Sequence, residues 1–334
     1  MKKILAGLMA LSSIAYADAP MSASEVFVPG NPIQDNQLPS GYLYPGEYKI
    51  NNSSNLVMSG EFLYWAANRL IGDVASRVNG IDTKILIHEP GYRPGFRVML
   101  GFEIPTWDNM HIDTIYTWWH NDTTTQHSAP AGTKITPLAG VTFVPIPATQ
   151  NHVKSKFRLH IDFLDLVLVK SFYIGKRIIL EPYYGLIGAW CKSKQKVTFN
   201  VLGFQESKHN FWAIGPEAGF NIRAMLWWGI FATAKADITF PYLRQTHSVA
   251  ALNLTGAHNV TKNGSTRQYM QQPFVRTNAG IGWGTYFSDN EYHLNLSATY
   301  DYWSNYIISA FTPGTLLPAD LSLHGYSFKA TLDF

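Results

Sequence analysis

Apolar and polar residues alternate along much of this chain with the period of two that a strand imposes on its faces. At the C-terminal end Tyr326, Phe328, Ala330, Leu332 and Phe334 share one face, and Gly325, Ser327, Lys329, Thr331 and Asp333 share the other. From Glu291 to Trp303 the apolar row Tyr292, Leu294, Leu296, Ala298, Tyr300 and Tyr302 interleaves with a polar row running from His293 to Asp301, a spacing that no helix gives. Phe274 to Phe287 sets Val275, Thr277, Ala279, Ile281 and Trp283 against Arg276, Asn278, Gly280, Gly282 and Gly284, and the glycine row suits a crowded inner wall. Seven more segments alternate in the same way: Leu56 to Trp65, Gly95 to Ile104, Met110 to His120, Lys156 to Tyr173, Arg177 to Lys192, His209 to Ile222 and Trp228 to Phe240. A phase shift between Asp162 and Asp165, and Pro216 within its segment, predict two bulges.

The connections between these ten segments also alternate. Short links at Pro105 to Asn109, Ile174 to Lys176, Arg223 to Leu226 and Ser288 to Asn290 take turns with long ones at Ala66 to Pro94, Asn121 to Ser155, Ser193 to Lys208, Pro241 to Pro273 and Ser304 to Asp320. A soluble sandwich has no reason to sort its loops by length. A transmembrane antiparallel β-barrel has one, with tight periplasmic turns and long extracellular loops. The expected fold is therefore all-β, a barrel of about ten strands over 56–334 in which Leu56 to Trp65 pairs with Leu321 to Phe334. Further strands at Gly41 to Ile50, Thr83 to His88 or Lys134 to Val144 would widen it to 12 or 14. Tyr64, Trp107, Trp118, Trp227, Trp228, Tyr286, Tyr302 and Trp303 fall near segment ends, where interfacial girdles belong.

The N-terminus adds a compartment. Met1-Lys2-Lys3, the apolar run Ile4 to Leu11 and Ala15-Tyr16-Ala17 form the basic, apolar and cleavage regions of a secretory signal peptide over 1–17, with 18–55 an unassigned periplasmic or lumen segment. At the other end, a last strand closing on Phe334 resembles the signal by which bacterial outer-membrane barrels are recognised for insertion, and Tyr326, Phe328, Leu332 and Phe334 would carry it to the barrel assembly machinery. Charged residues make up 15% of the chain and aromatics 14%, and after the leader no apolar stretch reaches the roughly 20 residues of a spanning helix. Without Lys2 and Lys3 the chain has 24 basic and 23 acidic residues, a balance with no nucleic-acid signature. One cysteine, Cys191, excludes an internal disulfide framework.

Several patches carry a family resemblance. Gly60-Glu61-Phe62-Leu63-Tyr64-Trp65, then Ile161 to Leu166 followed by Leu180 to Leu186, then Phe211 to Gly219, then Leu323-His324-Gly325-Tyr326 onward resemble, in order, the Legionella and chlamydial-type major outer membrane protein-like family of pore-forming barrels. The resemblance implies an outer-membrane pore or structural envelope component, without cofactor or turnover. It also departs from the cysteine-rich chlamydial relatives, so covalent envelope cross-linking is not expected.

If the alternation holds, Arg97, Arg158, Lys235, Arg276 and Lys329 face the lumen with Glu61, Glu103, Asp113, Asp162, Asp165, Glu181, Glu217, Asp237 and Asp333. Acid exceeds base, which predicts weak cation preference in a pore that passes small hydrophilic solutes or ions. Against this stand a lumen shut by its own paired charges, making a structural or adhesive barrel whose loops bind a host surface or envelope protein, and a rim hydrolase. The last would use His111 with Asp113, His160 with Asp162 or His293 with Glu291, each pair placed on one strand face by its i, i+2 spacing. No nucleophile elbow, phosphate loop or metal-ligand cluster accompanies them. Outer-membrane lipid is the expected surrounding, and self-association stays open.

Overall fold

The computed structural model describes residues 56–69, 73–79, 82–87, 91–104, 110–129, 134–136, 152–174, 177–199, 203–253, 259–287, 292–305, 310–312, 315–317 and 321–333. The expected leader, the segment 18–55, the candidate strand Gly41 to Ile50 and Phe334 lie outside the described residues. Every described regular element is a strand.

The barrel wall is built from β1 (Leu56–Arg69), β2 (Arg93–Glu103), β3 (Met110–Ser128), β4 (His152–Lys170), β5 (Ile178–Phe199) and β6 (Gly203–Met225). It continues with β7 (Ile230–Thr239) and β8 (Tyr242–Asn253), then β9 (Asn259–Gln271) and β10 (Phe274–Phe287), and ends with β11 (Tyr292–Asn305) and β12 (Leu321–Asp333). β7 and β8 form one stave interrupted at Phe240-Pro241, and β9 and β10 another interrupted at Gln272-Pro273, where proline supplies no ladder donor. All pairings around the wall are antiparallel, and β12 returns to β1 in the register Val57↔Asp333 to Arg69↔Leu321. The result is a closed barrel of ten staves. Closure leaves no edge facing lipid, where each unpaired backbone group costs several kcal/mol.

The outward rows invert the rule for soluble proteins. Phe62, Leu100, Leu186, Ile214, Ile281 and Phe328 are each about half exposed or more, as lipid-facing side chains must be. Crossing a bilayer takes about 9–11 residues of tilted strand, yet β5 has 22 and β6 has 23. The surplus extends the wall beyond the membrane. The segments expected as the long loops Ser193 to Lys208 and Pro241 to Pro273 are therefore mostly strand, with β5 paired to β6 from Phe199↔Gly203 downward and β8 paired to β9. Their sequences, such as Lys192-Ser193-Lys194-Gln195-Lys196, lack an apolar row because their outer face lies above the hydrocarbon of the bilayer.

Other expectations are corrected. Asp82–Ile87 and Lys134–Thr136 are strands but join Asp73–Asn79 in a separate three-stranded sheet, so they do not widen the barrel. β4 pairs without a register shift from His152 to Lys170, and Asp162 and Asp165 simply lie on opposite faces. Pro216 leaves the β5–β6 ladder unbroken, and the interruption falls on the neighbouring stave between β7 and β8. The strand expected from Trp228 begins at Ile230, because Trp227-Trp228-Gly229-Ile230 is a two-residue hairpin turn closed by the Ile230 N–H donating to the Trp227 carbonyl (2.8 Å). Both central residues have positive φ (53° and 74°), as the right-handed twist of the hairpin requires, and Gly229 takes this without strain while Trp228 does not.

The glycine row of β10 is crowded as its sequence implied. A Cβ on Gly280 would run into the Ala298 carbonyl and Thr299 of β11, and one on Gly282 would meet the Phe231 ring. Gly280→Val should therefore destabilise the folded barrel by about 1–3 kcal/mol, read as a lower urea midpoint for loss of the compact band on unheated gels, and an unchanged midpoint would contradict this packing.

Candidate functional site: a charged lumen beneath an apolar layer

Inward rows of all the staves converge on the lumen, and the end at which β1 begins and β12 ends is polar. A cavity of about 250 Å³ there is lined by Glu61, Arg97, Asp113, Glu181, Lys235 and Lys329 among others. Two guanidinium groups organise it. Arg276 donates from Nε to Asp237 Oδ1 (2.6 Å), from Nη1 to Asp165 Oδ2 (3.0 Å) and from Nη2 to Glu217 Oε1. Tyr183 donates its hydroxyl to the second Asp237 oxygen (2.9 Å). Arg97 donates through Nη1 to both Glu61 oxygens (2.8 Å) and through Nε to Thr117 (3.1 Å). Glu61 lies in register between Arg97 on β2 and Lys329 on β12, so pairing across three strands sets this ion row directly.

Above the charges the lumen turns apolar. Trp65, Trp303 and Phe163 meet at its centre, with ring centroids 5.0 Å apart for the two tryptophans and 4.6 Å for Phe163 and Trp303. Ile161, Ile187, Phe211, Phe274, Leu321 and Leu323 complete the layer and leave a gap of only about 30 Å³. Trp303 joins the two zones, its ring 5.2 Å from the Arg276 guanidinium and 5.8 Å from that of Arg97. The Trp65 indole donates to Asp301 (3.1 Å), which also accepts from Ser327 and Thr299. Large rings with a polar end fit this boundary, since face and edge are apolar and the N–H finds a carboxylate.

Twelve of the fourteen charges expected in the lumen face it: Glu61, Arg97, Glu103, Asp113, Asp165, Glu181, Glu217, Lys235, Asp237, Arg276, Lys329 and Asp333. Arg158 and Asp162 do not. They lie on the even, outward row of β4, because that strand keeps one phase throughout. Asp301 and Arg223 take their places inside, so nine carboxylates still face five Lys and Arg around the lower lumen. Asp301 was legible on the polar row of its strand. The girdle assignment fails for Trp303, which is buried in the apolar layer, and for Tyr286, which is on the inward row and stacks on His293 (4.4 Å). Tyr64, Trp118, Trp227, Trp228 and Tyr302 lie on the outside or in the turn, whereas Trp107 is outside the described residues. Tyr326 and Phe328 share the lipid-facing row as expected.

Of the His and carboxylate pairs, His111 and Asp113 approach to 3.5 Å at the lumen mouth near the termini. His160 shares the outer face with Asp162, yet its near carboxylate is Asp122 (3.7 Å), while Asp162 faces His120 (3.8 Å). His293 contacts Asp333 at 2.8 Å, and Glu291 is outside the described residues. Cys191 is buried in the apolar layer.

Residues 51–334 match the family described as Legionella pneumophila major outer membrane protein precursor. The chain belongs to this family. As a Legionella major outer membrane protein family member with a closed barrel, it is an outer-membrane barrel. No curated protein sequence matches it. Among solved structures it is similar to the outer membrane protease OmpT from Escherichia coli, with 8% identity over 86% of this chain and 98% of that one, TM-score 0.47. It is also similar to the Ralstonia pickettii toluene transporter TbuX (7%; 83% and 89%; TM-score 0.29) and a Pseudomonas aeruginosa FadL homologue (8%; 84% and 90%; TM-score 0.27).

In this family member Arg276 holds together three buried carboxylates, so its removal leaves their charges uncompensated. Arg276→Met should destabilise the barrel by about 3–5 kcal/mol in urea unfolding, and adding Asp165→Asn and Glu217→Gln should recover part of that loss. No recovery in the triple variant would show that the cluster is not held by charge compensation.

Proposed function

We propose that this protein is a narrow outer-membrane pore for small ions and hydrophilic solutes, held closed in the described state by the apolar layer around Trp65, Phe163 and Trp303. The observation carrying this reading is a carboxylate-rich cavity of about 250 Å³ directly beneath an apolar layer whose own gap is only about 30 Å³. Such constrictions gate by excluding water, and carboxylate rings favour cations when water enters. Ten staves enclose a much smaller lumen than the 16–18 strands of general porins, so a few side chains suffice to shut it. The outward row of Tyr326, Phe328 and Leu332 serves as the insertion signal for the barrel assembly machinery.

A second reading has its own observation. Strands of 19–23 residues project the wall well past the bilayer, which favours a permanently closed barrel acting as a structural or adhesive platform. Of the rim-hydrolase pairs, His111 and Asp113 lie at the end of the lumen where β1 begins, and His160 with Asp122 lies on the outward face of the wall, away from the lumen mouth.

Planar-bilayer recording separates the two readings. The wild-type protein should give rare, small, cation-preferring openings, and Phe163→Ala with Trp303→Ala should raise open probability at least about tenfold by widening the constriction. Silence from both proteins, each shown to be folded and inserted, would rule out the pore and leave the platform.

A further inference from the structure

The outward faces of β3 to β6 change character at one level. Toward the end at which β1 begins they carry Ile112, Leu164, Leu166, Leu186 and Ile214, the lipid-facing band. At the level itself stand Trp118, Trp190 and Trp212, in register across the strands with Asp162. Tryptophans in such a row mark the boundary between hydrocarbon and headgroups.

Immediately beyond that row the wall is basic. Register places His160 beside Lys192, then Arg158 beside Lys194 and Lys208, then Lys156 beside Lys196. Like charges directly opposite on neighbouring strands repel, and strands about 4.8 Å apart cannot separate them. From the tryptophan row outward, counting Asp162 in the row itself, these four strands carry seven Lys and Arg against three carboxylates. Two of those carboxylates are already engaged: Glu206 pairs with Lys194 (3.0 Å) and Lys208 (2.9 Å), and Asp122 is 3.7 Å from both Arg158 and His160. Burial alone would raise the Glu206 carboxyl, but hydrogen bonds from Lys208 and Lys194 more than offset it and hold it below the usual carboxylate range. Glu206 is thus ionised at neutral pH and committed to those lysines. Lys154, Lys156 and Lys192 are exposed and make no ion pair among the described residues.

We propose that this face binds the phosphorylated headgroup of an outer-leaflet glycolipid, with the acyl chains lying on the apolar band below. The charge is of the right sign, it begins at the headgroup level, and its grid of cations gives a lipid with more than one phosphate several simultaneous partners. A membrane-embedded lipid is held at this height by its own chains, so the site needs no enclosed pocket.

The test is native mass spectrometry of the full-length protein in detergent, with bisphosphorylated lipid A and the same lipid stripped of its phosphates as probes. The wild-type protein should retain the phosphorylated form at least roughly tenfold better. Lys156→Gln, Arg158→Gln, Lys192→Gln and Lys194→Gln combined should abolish that preference, and Lys156→Arg with Lys192→Arg should keep it. Equal retention of the two lipids by the wild-type protein, a comparison needing no variant, would overturn the proposal. So would full displacement by millimolar inorganic phosphate, which would mark a simple anion site.

Discussion

Everything in this structure follows from the requirement that backbone N–H and C=O groups find partners where lipid offers none. The pairing of β12 with β1 meets it, from Val57↔Asp333 to Arg69↔Leu321, by turning a sheet with two edges into a wall with none. Closure at ten staves then fixes the lumen as a space that side chains can fill. What lies inside is consequently a second core. It has its own hydrophobic cluster around Trp65 and Trp303, its own buried ion network around Arg276, and glycines where neighbouring strands crowd the wall.

The inner network shows how a barrel can bury charge at tolerable cost. Desolvation opposes every ion placed there, and three carboxylates around a single guanidinium would be untenable without directed hydrogen bonds. Arg276 gives each carboxylate a separate N–H, Tyr183 adds a donor to Asp237, and Trp303 covers the guanidinium face. Asp237 on β7 is the in-register neighbour of Arg276 on β10, and the bonds to Asp165 and Glu217 tie in β4 and β6, which no ladder joins to β10. The apolar layer rests on that platform through Trp303.

Much of the fold was legible because the signal is a period. Lipid-facing rows such as Tyr292 to Tyr302 must be apolar at every second residue, so strand existence, strand pairing at closure and twelve lumen charges could be read directly. Reading failed where that pressure stops. Arg158 and Asp162 sit at or just above the edge of the hydrocarbon on a face free to be polar, so polarity there no longer means inward. The same relaxation made the strands through 193–199 and 203–208 look like loops. Trp303 was misplaced because a lumen of this size accepts an aromatic plug, and its sequence position near a strand end is equally that of a girdle residue. No local pattern reports that Arg276 meets Asp165, since the two are 111 residues apart and several strands around the wall.

The formal charge of +3 conceals a strong segregation. Acid gathers on the inner face of the lower wall and base on the outer face of the upper wall, and only the two-residue alternation keeps the two sets apart within the same strands. β4 shows this most simply, with Asp165 turned into the lumen and Arg158 turned out above the tryptophan row. A shift of one residue in its register would turn Arg158 and Lys156 into the interior in place of Phe157 and Leu159, and would expose Asp165 to hydrocarbon. The penalty for each misplaced ion is several kcal/mol. Charge placement therefore does more than prepare a lumen or a lipid-facing surface: it fixes which face of each strand turns inward, against a slip of one residue that would exchange the two.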